Sequence, residues 1–195
     1  AGMSEEKEEL LFAIRSLKNS EEYVEKGVKP VRGILLEGPP GVGKTLLAKA
    51  VAGEAGVNFL SYSGADFVEM FVGLGARRIR NMYDEAEKQK PCVVFIDEID
   101  ALGKTRISGN GSPGTQEADQ TLVALLERMD GMNTTSGILF IAATNRVDSL
   151  DSALLRPGRF DKTIHIGPPK TKTLCQKSHI AFFCHIVHRN FQHKV

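Results

Sequence analysis

The sequence predicts an α/β protein, a central parallel sheet with helices on both faces. Two observations point there. Strand-like and helix-like patterns alternate from residue 4 to residue 145. The strand candidates are also uninterrupted apolar runs, Cys92–Ile96 (CVVFI) and Gly137–Ala143 (GILFIAA), as expected of strands covered on both sides.

Each element has a local reason. Ser4 followed by Glu5, Glu6, Glu8 and Glu9 is a capped helix start, with Leu10, Leu11, Ile14 and Leu17 on one face. Gly33–Leu36 is a short buried strand running into a glycine-rich turn, and Thr45–Ala55 is a helix. Phe59–Tyr62 follows as a strand and Ala76–Gln89 as a charged amphipathic helix. Cys92–Ile96 is the second buried strand and ends in acids. Gly103, Gly109, Gly111, Pro113 and Gly114 make 103–116 a mobile surface loop. Gln116–Met129 is a helix with Leu122, Leu125, Leu126 and Met129 inward, and Ile138–Ala143 is the third buried strand, ending at Thr144 and Asn145. There is no internal repeat.

Composition sets the outer bounds. A chain of 195 residues, 42% hydrophobic and 25% charged, is long enough for one domain with a real core and excludes a disordered or collagen-like polymer. No apolar run approaches the ~18 residues of a membrane span, and the acidic start AGMSEEKEEL has no signal-peptide pattern, so a soluble chain is expected. Three scattered cysteines, Cys92, Cys175 and Cys184, form no disulfide framework and suit a reducing compartment. The net charge of +1 hides an asymmetry. All 24 acids lie at or before Asp161, while six of the 25 basic residues and all five histidines lie after it. The body is therefore mildly acidic, which argues against nucleic-acid binding. The break divides the chain into a body, 1–168, and a basic tail, 169–195.

The chemistry begins at Gly38-Pro39-Pro40-Gly41-Val42-Gly43-Lys44-Thr45, which fits G-x-x-x-x-G-K-[ST] between a strand and a helix. Such a loop turns backbone N–H groups onto a phosphate, and the helix behind it adds its positive end. Lys44 supplies a cation for the outer phosphates and Thr45 a hydroxyl for Mg²⁺. A plain Gly/Pro turn would need neither. At the end of the second buried strand, Asp97 is placed to hold Mg²⁺ and Glu98 to polarise an attacking water. Taken alone, those acids also suit the first turn of a helix. Asn145, closing the third strand between two acid-bearing neighbours, is placed to orient the same water or to touch the outermost phosphate, or else simply forms a turn.

With these residues in place the chain resembles the AAA+ ATPases, specifically the FtsH/paraplegin class of membrane-anchored zinc proteases. The likeness runs from Ala1 to about Pro168 through LLEGPPGVGKTLLAKAVAGEA (35–55), FVEMFVGLGARRIR (67–80), PCVVFIDEIDALG (91–103) and AATNRVDSLDSALLRPGRFD (142–161). It implies a P-loop NTPase fold, the large AAA+ subdomain, in three α/β/α layers. It implies ATP and Mg²⁺ as cofactors, bound by Gly38 to Thr45 with Leu46 and Asp97. Phe71-Val72-Gly73 matches the pore loop that grips unfolded polypeptide, although Met70, Phe71 and Val72 also suit a core. Arg156 and Arg159 match arginine fingers that act on a neighbouring subunit's nucleotide, with Pro157-Gly158 turning both to one surface. Asn145 matches the first sensor. The partners implied are a homo- or hetero-oligomeric ring, usually of six, and unfolded protein substrates. The function implied is ATP hydrolysis that feeds such substrates to a zinc protease. Two alternatives are a nucleotide-binding ring subunit that does not hydrolyse and an AAA+ remodeller of another class.

Departures from the family are also expected to matter. The chain opens within the segment that builds part of the adenine pocket, and Met132 stands where the family commonly has Phe. After Pro168 the lid domain is not recognisable, and neither H-E-x-x-H nor a transmembrane segment is present. Membrane attachment (bacterial, mitochondrial or thylakoid in the family) would come only through parts outside this sequence. Cys175, His179, Cys184, His185, His188 and His193 are zinc-ligand types, but their spacing follows no known zinc fold.

Overall fold

The structure is a computed structural model that describes residues 4–18, 25, 31–68, 73–102, 113–131 and 137–168. Five strands form one parallel sheet: β1 (Gly33–Glu37), β2 (Asn58–Ser63), β3 (Cys92–Asp97), β4 (Ile138–Thr144) and β5 (Lys162–His165). They lie in the order β2-β3-β4-β1-β5. Helices α1 (Ser4–Lys18) and α2 (Lys44–Ala55) take part in one core, and α3 (Leu74–Lys88) and α4 (Pro113–Asp130) in the other.

The two cores follow from strand alternation. In β3, Val93 and Phe95 join Leu10, Ile14, Ala48 and Val51, while Val94 and Ile96 join Ile79, Met82, Leu125 and Met129. In β4 the same split sends Leu139 and Ile141 one way and Phe140 and Ala142 the other. Both faces of these strands are sealed, so they read as apolar runs in the sequence. On α1, Leu10, Leu11, Ile14 and Leu17 are all buried, as their spacing predicts. The expected three-layer α/β/α fold with a parallel central sheet is the fold found.

Two sequence expectations need correction. Residues 113–116, read as the end of a mobile loop, are the first turn of α4. Pro113 opens the helix, where its fixed φ suits the start and its missing N–H costs nothing. Residues 103–112 lie outside the described residues. The fifth strand is absent from the sequence reading because only Ile164 of its four residues is buried, so no run or alternation signals it. It forms because β1 offers a free edge, with Ile34 opposite Lys162 and Glu37 opposite His165.

The reversal in strand order falls at β1. The chain leaves it to build β2, three positions away with β3 and β4 later filling the space between, and returns at the end to lay β5 on its other side. Crevices at the carboxyl ends of strands beside such a reversal are where open α/β sheets bind ligands.

Ile141→Ala removes a fully buried side chain from the centre of the sheet and should cost about 2–5 kcal/mol of unfolding free energy. Thr163→Ala, on the exposed face of β5, should stay within about 0.5 kcal/mol. Urea unfolding of the two variants with an unchanged slope checks both values.

Candidate active site

The carboxyl ends of β1, β3 and β4 meet at one edge of the sheet, and the sequence-predicted phosphate and metal residues collect there. The loop leaving β1 turns through Gly41 (φ 77°) and Gly43 (φ 95°), left-handed conformations that favour glycine. Gly38 is constrained by space instead, since a Cβ there would lie 2.2 Å from the carbonyl oxygen of Ile166. Val42 turns its side chain into the core, so it offers a ligand only its backbone; Pro39 and Pro40 are exposed. Gly43 caps α2 without any side-chain hydrogen bond, so the first N–H groups of that helix have no capping side chain.

Lys44 is buried, and its ammonium donates to Gly38 O at 2.7 Å, Pro39 O at 3.1 Å and Asn145 Oδ1 at 2.6 Å. An ammonium has three protons and no lone pair, so this arrangement uses every donor and turns the amide oxygen of Asn145 toward it. Burial pushes the Lys44 pKa down, and the nearby carboxylates of Asp97 and Asp100 oppose that shift.

Thr45 donates its hydroxyl to Asp97 Oδ2 at 2.6 Å, across 52 residues of sequence. The other oxygen, Asp97 Oδ1, accepts the backbone N–H of Glu98 at 3.0 Å. The hydroxyl and the carboxylate are hard oxygen donors in contact, a donor set that suits Mg²⁺. Glu98 is exposed, with φ 51° and ψ 47°, and is the one non-glycine residue with positive φ among those described. Leu46 is also exposed, one residue further along α2.

Sequence reasoning missed Thr144 and Asp100. Thr144 is fully buried, donates its hydroxyl to Asp100 Oδ1 at 2.9 Å, and accepts the backbone N–H of Arg146 at 2.9 Å. It thereby ties the residues on either side of Asn145 to the turn that follows β3. Both residues stand beside motif positions, but nothing local in the sequence pairs them.

Arg159 and Arg156 lie elsewhere, on the turn before β5. Arg159 makes a two-pronged pair with Asp130, Nε to Oδ1 at 2.9 Å and Nη2 to Oδ2 at 2.7 Å, and its Nη1 donates to Ala153 O at 2.7 Å. The hydrogen bonds and charge of Arg159 hold the Asp130 pKa below the ordinary carboxylate range, against a smaller opposing effect of burial. Arg156 is exposed. Phe71 and Val72 lie outside the described residues, as do Met132 and the tail from 169; Gly73 is the residue that caps α3. Among the described residues no helix is long and apolar enough to cross a membrane.

The sequence pattern of the family described as "ATPase family associated with various cellular activities (AAA)" matches residues 34–168. The chain is 60% identical over 172 residues to the ATP-dependent zinc metalloprotease FtsH of Caldicellulosiruptor bescii, covering 88% of this chain and 28% of that protein. It is 59% identical over 172 residues to FtsH 1 of Thermoanaerobacter sp., again 88% and 28%. With FtsH of Cupriavidus metallidurans the figures are 56% over 169 residues, 87% and 26%. The chain thus spans about a quarter of the length of the curated relatives it matches. The phosphate loop, the acids facing it and these likenesses agree: the chain belongs to the AAA family of nucleotide-binding ATPases and falls within its FtsH class.

Proposed function

We propose that this domain binds ATP with Mg²⁺ and hydrolyses it, and that the energy pulls unfolded polypeptide toward a zinc protease carried by other parts of a larger protein. The observation that carries the proposal is the contact of Thr45 with Asp97 beside that of Lys44 with Asn145, which joins the phosphate loop to the ends of β3 and β4.

Each residue has a separate task. The N–H groups of 41–45 and the start of α2 take up the phosphate oxygens, with Leu46 beside them. Lys44 exchanges carbonyl partners for outer phosphate oxygens, a small movement because its stem is already packed. Thr45 and Asp97 would hold Mg²⁺, which when bound neutralises charge building on the phosphate oxygens. Glu98 polarises the attacking water through its carboxylate and receives the proton as the oxygen bonds to the γ-phosphorus and the bond to ADP breaks. Asn145 orients that water from the third strand end.

Arg156 and Arg159 act on the nucleotide of an adjoining copy, which requires a ring, six-membered by family resemblance and either homo- or hetero-oligomeric. Phe71, Val72 and Gly73 grip the polypeptide in its centre. The tie between Arg159 and Asp130 also stiffens the turn that presents both arginines, with the exposed Arg156 reaching outward from it.

Glu98→Gln should retain Mg·ATP within about threefold in affinity and lose about 10²–10⁴ in turnover. Equilibrium titration beside a phosphate-release assay checks this, and normal turnover would end the assignment. In the parent chain, turnover per molecule should rise with protein concentration, and Arg156→Ala should remove that rise. A chain that binds nucleotide yet turns over at no concentration is instead the non-hydrolysing ring subunit. For Asp130→Asn the sign follows from the lowered native pKa: the Asp130 contribution is present above the unfolded value of about 4 and is lost as pH falls through the native one. Because the Asp130 side chain is 51% exposed, the loss at pH 7 should be under about 1 kcal/mol and should shrink as the pH is taken below about 4, as read by denaturation at a series of pH values.

A further inference from the structure

We propose that Gly64, just past the end of β2, is a positioning residue for Glu98, and that the lack of a side chain there holds the Glu98 turn in its left-handed form. The inference rests on the hydrolytic reading of Glu98 given above. A Cβ built on Gly64 would lie 2.3 Å from Glu98 O, 3.1 Å from Glu98 C and 3.3 Å from Asp97 O. All three are backbone atoms, which cannot swing aside as a side chain does. Gly64 itself has no positive φ, so its own conformation is open to any residue and only the space is closed.

Both sides of the contact are fixed. On the β2 side, Ser63 stands opposite Asp97 in the sheet. Its hydroxyl accepts the N–H of Ala65 at 3.3 Å, and Asp66 Oδ2 accepts the N–H of Ser63 at 2.8 Å, a reciprocal cap that keeps 63–66 in one shape. Phe67 is fully buried and anchors the other end of the turn. On the β3 side, the Glu98 carbonyl that faces Gly64 also accepts the N–H of Ala101 at 2.9 Å, and the Glu98 N–H is held by Asp97 Oδ1.

The left-handed conformation of Glu98 is unfavourable for a side-chain-bearing residue and persists only when its surroundings impose it. Returning Glu98 to an ordinary conformation would swing its peptide groups, and with them the carboxylate. A methyl at position 64 pushes hardest on that carbonyl, at 2.3 Å against 3.3 Å for the Asp97 backbone oxygen, while the Asp97 carboxylate stays tied to Thr45 and the phosphate loop and Lys44 lie on other elements. The expected damage therefore falls on the water-activating group and spares nucleotide affinity.

The test compares Gly64→Ala with the parent chain and with Gly53→Ala, a helical position where a Cβ meets nothing within 4 Å. In Gly64→Ala the Mg·ATP affinity should stay within about threefold while kcat falls about a hundredfold, the scale of a misplaced catalytic group; Gly53→Ala should change neither. Backbone chemical shifts should show Glu98 leaving the left-handed region in Gly64→Ala alone. Parent-like kcat with Glu98 still at positive φ would overturn the proposal, as would an equal loss of affinity and turnover. Were the parent to bind nucleotide without turnover, the hydrolytic reading would fall, and the chemical shifts alone would still decide whether Gly64 sets the Glu98 turn. If Gly64→Ala does not fold, adding Glu98→Gly should restore a folded, Mg·ATP-binding chain, because glycine yields freely at that turn; failure to restore it counts against the proposal.

Discussion

One requirement governs the molecule: three parallel strands must end together at the same edge of a sealed sheet. Register delivers it, with Glu37 of β1 opposite Thr144 of β4 and Ile96 of β3 opposite Ala142. Asp97, Glu98 and Asn145 stand one or two residues past these pairs, and the loop after Glu37 brings Lys44 and Thr45 back to them. Their alignment is stabilised by the apolar runs behind them, whose two faces are buried in separate cores. A slip of one residue in β3 would exchange Val94 and Ile96 with Val93 and Phe95 and turn Asp97 away from Thr45.

Electrostatics at that edge follow from the burial that creates it. A cation at Lys44 is costly in a low-dielectric setting unless its protons are satisfied. Two loop carbonyls and one amide oxygen do this, with Asp97 and Asp100 supplying negative charge at longer range. These partners are neutral oxygens, so the Lys44 charge is not cancelled by a direct ion pair and remains available to an anion. Thr45 and Asp97 use one hydrogen bond between them and leave further lone pairs on the carboxylate.

What could be read in the sequence and what could not divides along a physical line. Strands β1, β3 and β4 were legible because covered faces demand apolar residues at every position, and the phosphate loop because its spacing is set within eight residues. The strand β5 was not, since one buried isoleucine carries no period and the pairing comes from a distant partner. The start of α4 was hidden because Pro113 and Gly114 signal a loop as readily as a helix opening. The links between Thr144 and Asp100 and between Arg159 and Asp130 join residues 44 and 29 apart, and only the folded chain brings them together.

The placement of Arg159 bears on how such a domain would use it. A Cβ on Gly33 would lie 2.3 Å from the Arg159 carbonyl, so the arginine turn is seated at the start of β1, while the phosphate loop leaves the end of that strand. The five residues of β1, at about 3.3 Å each, separate the two by more than an arginine side chain extends. The guanidinium is, moreover, directed to Asp130 at the end of α4. An arginine so placed has no path to the phosphates of its own chain. The Arg159 guanidinium is thus set apart from the loop that carries Lys44 and Thr45 in the same chain. The glycine at the start of β1 permits that approach, because any side chain there would meet the Arg159 backbone and push the turn off the strand.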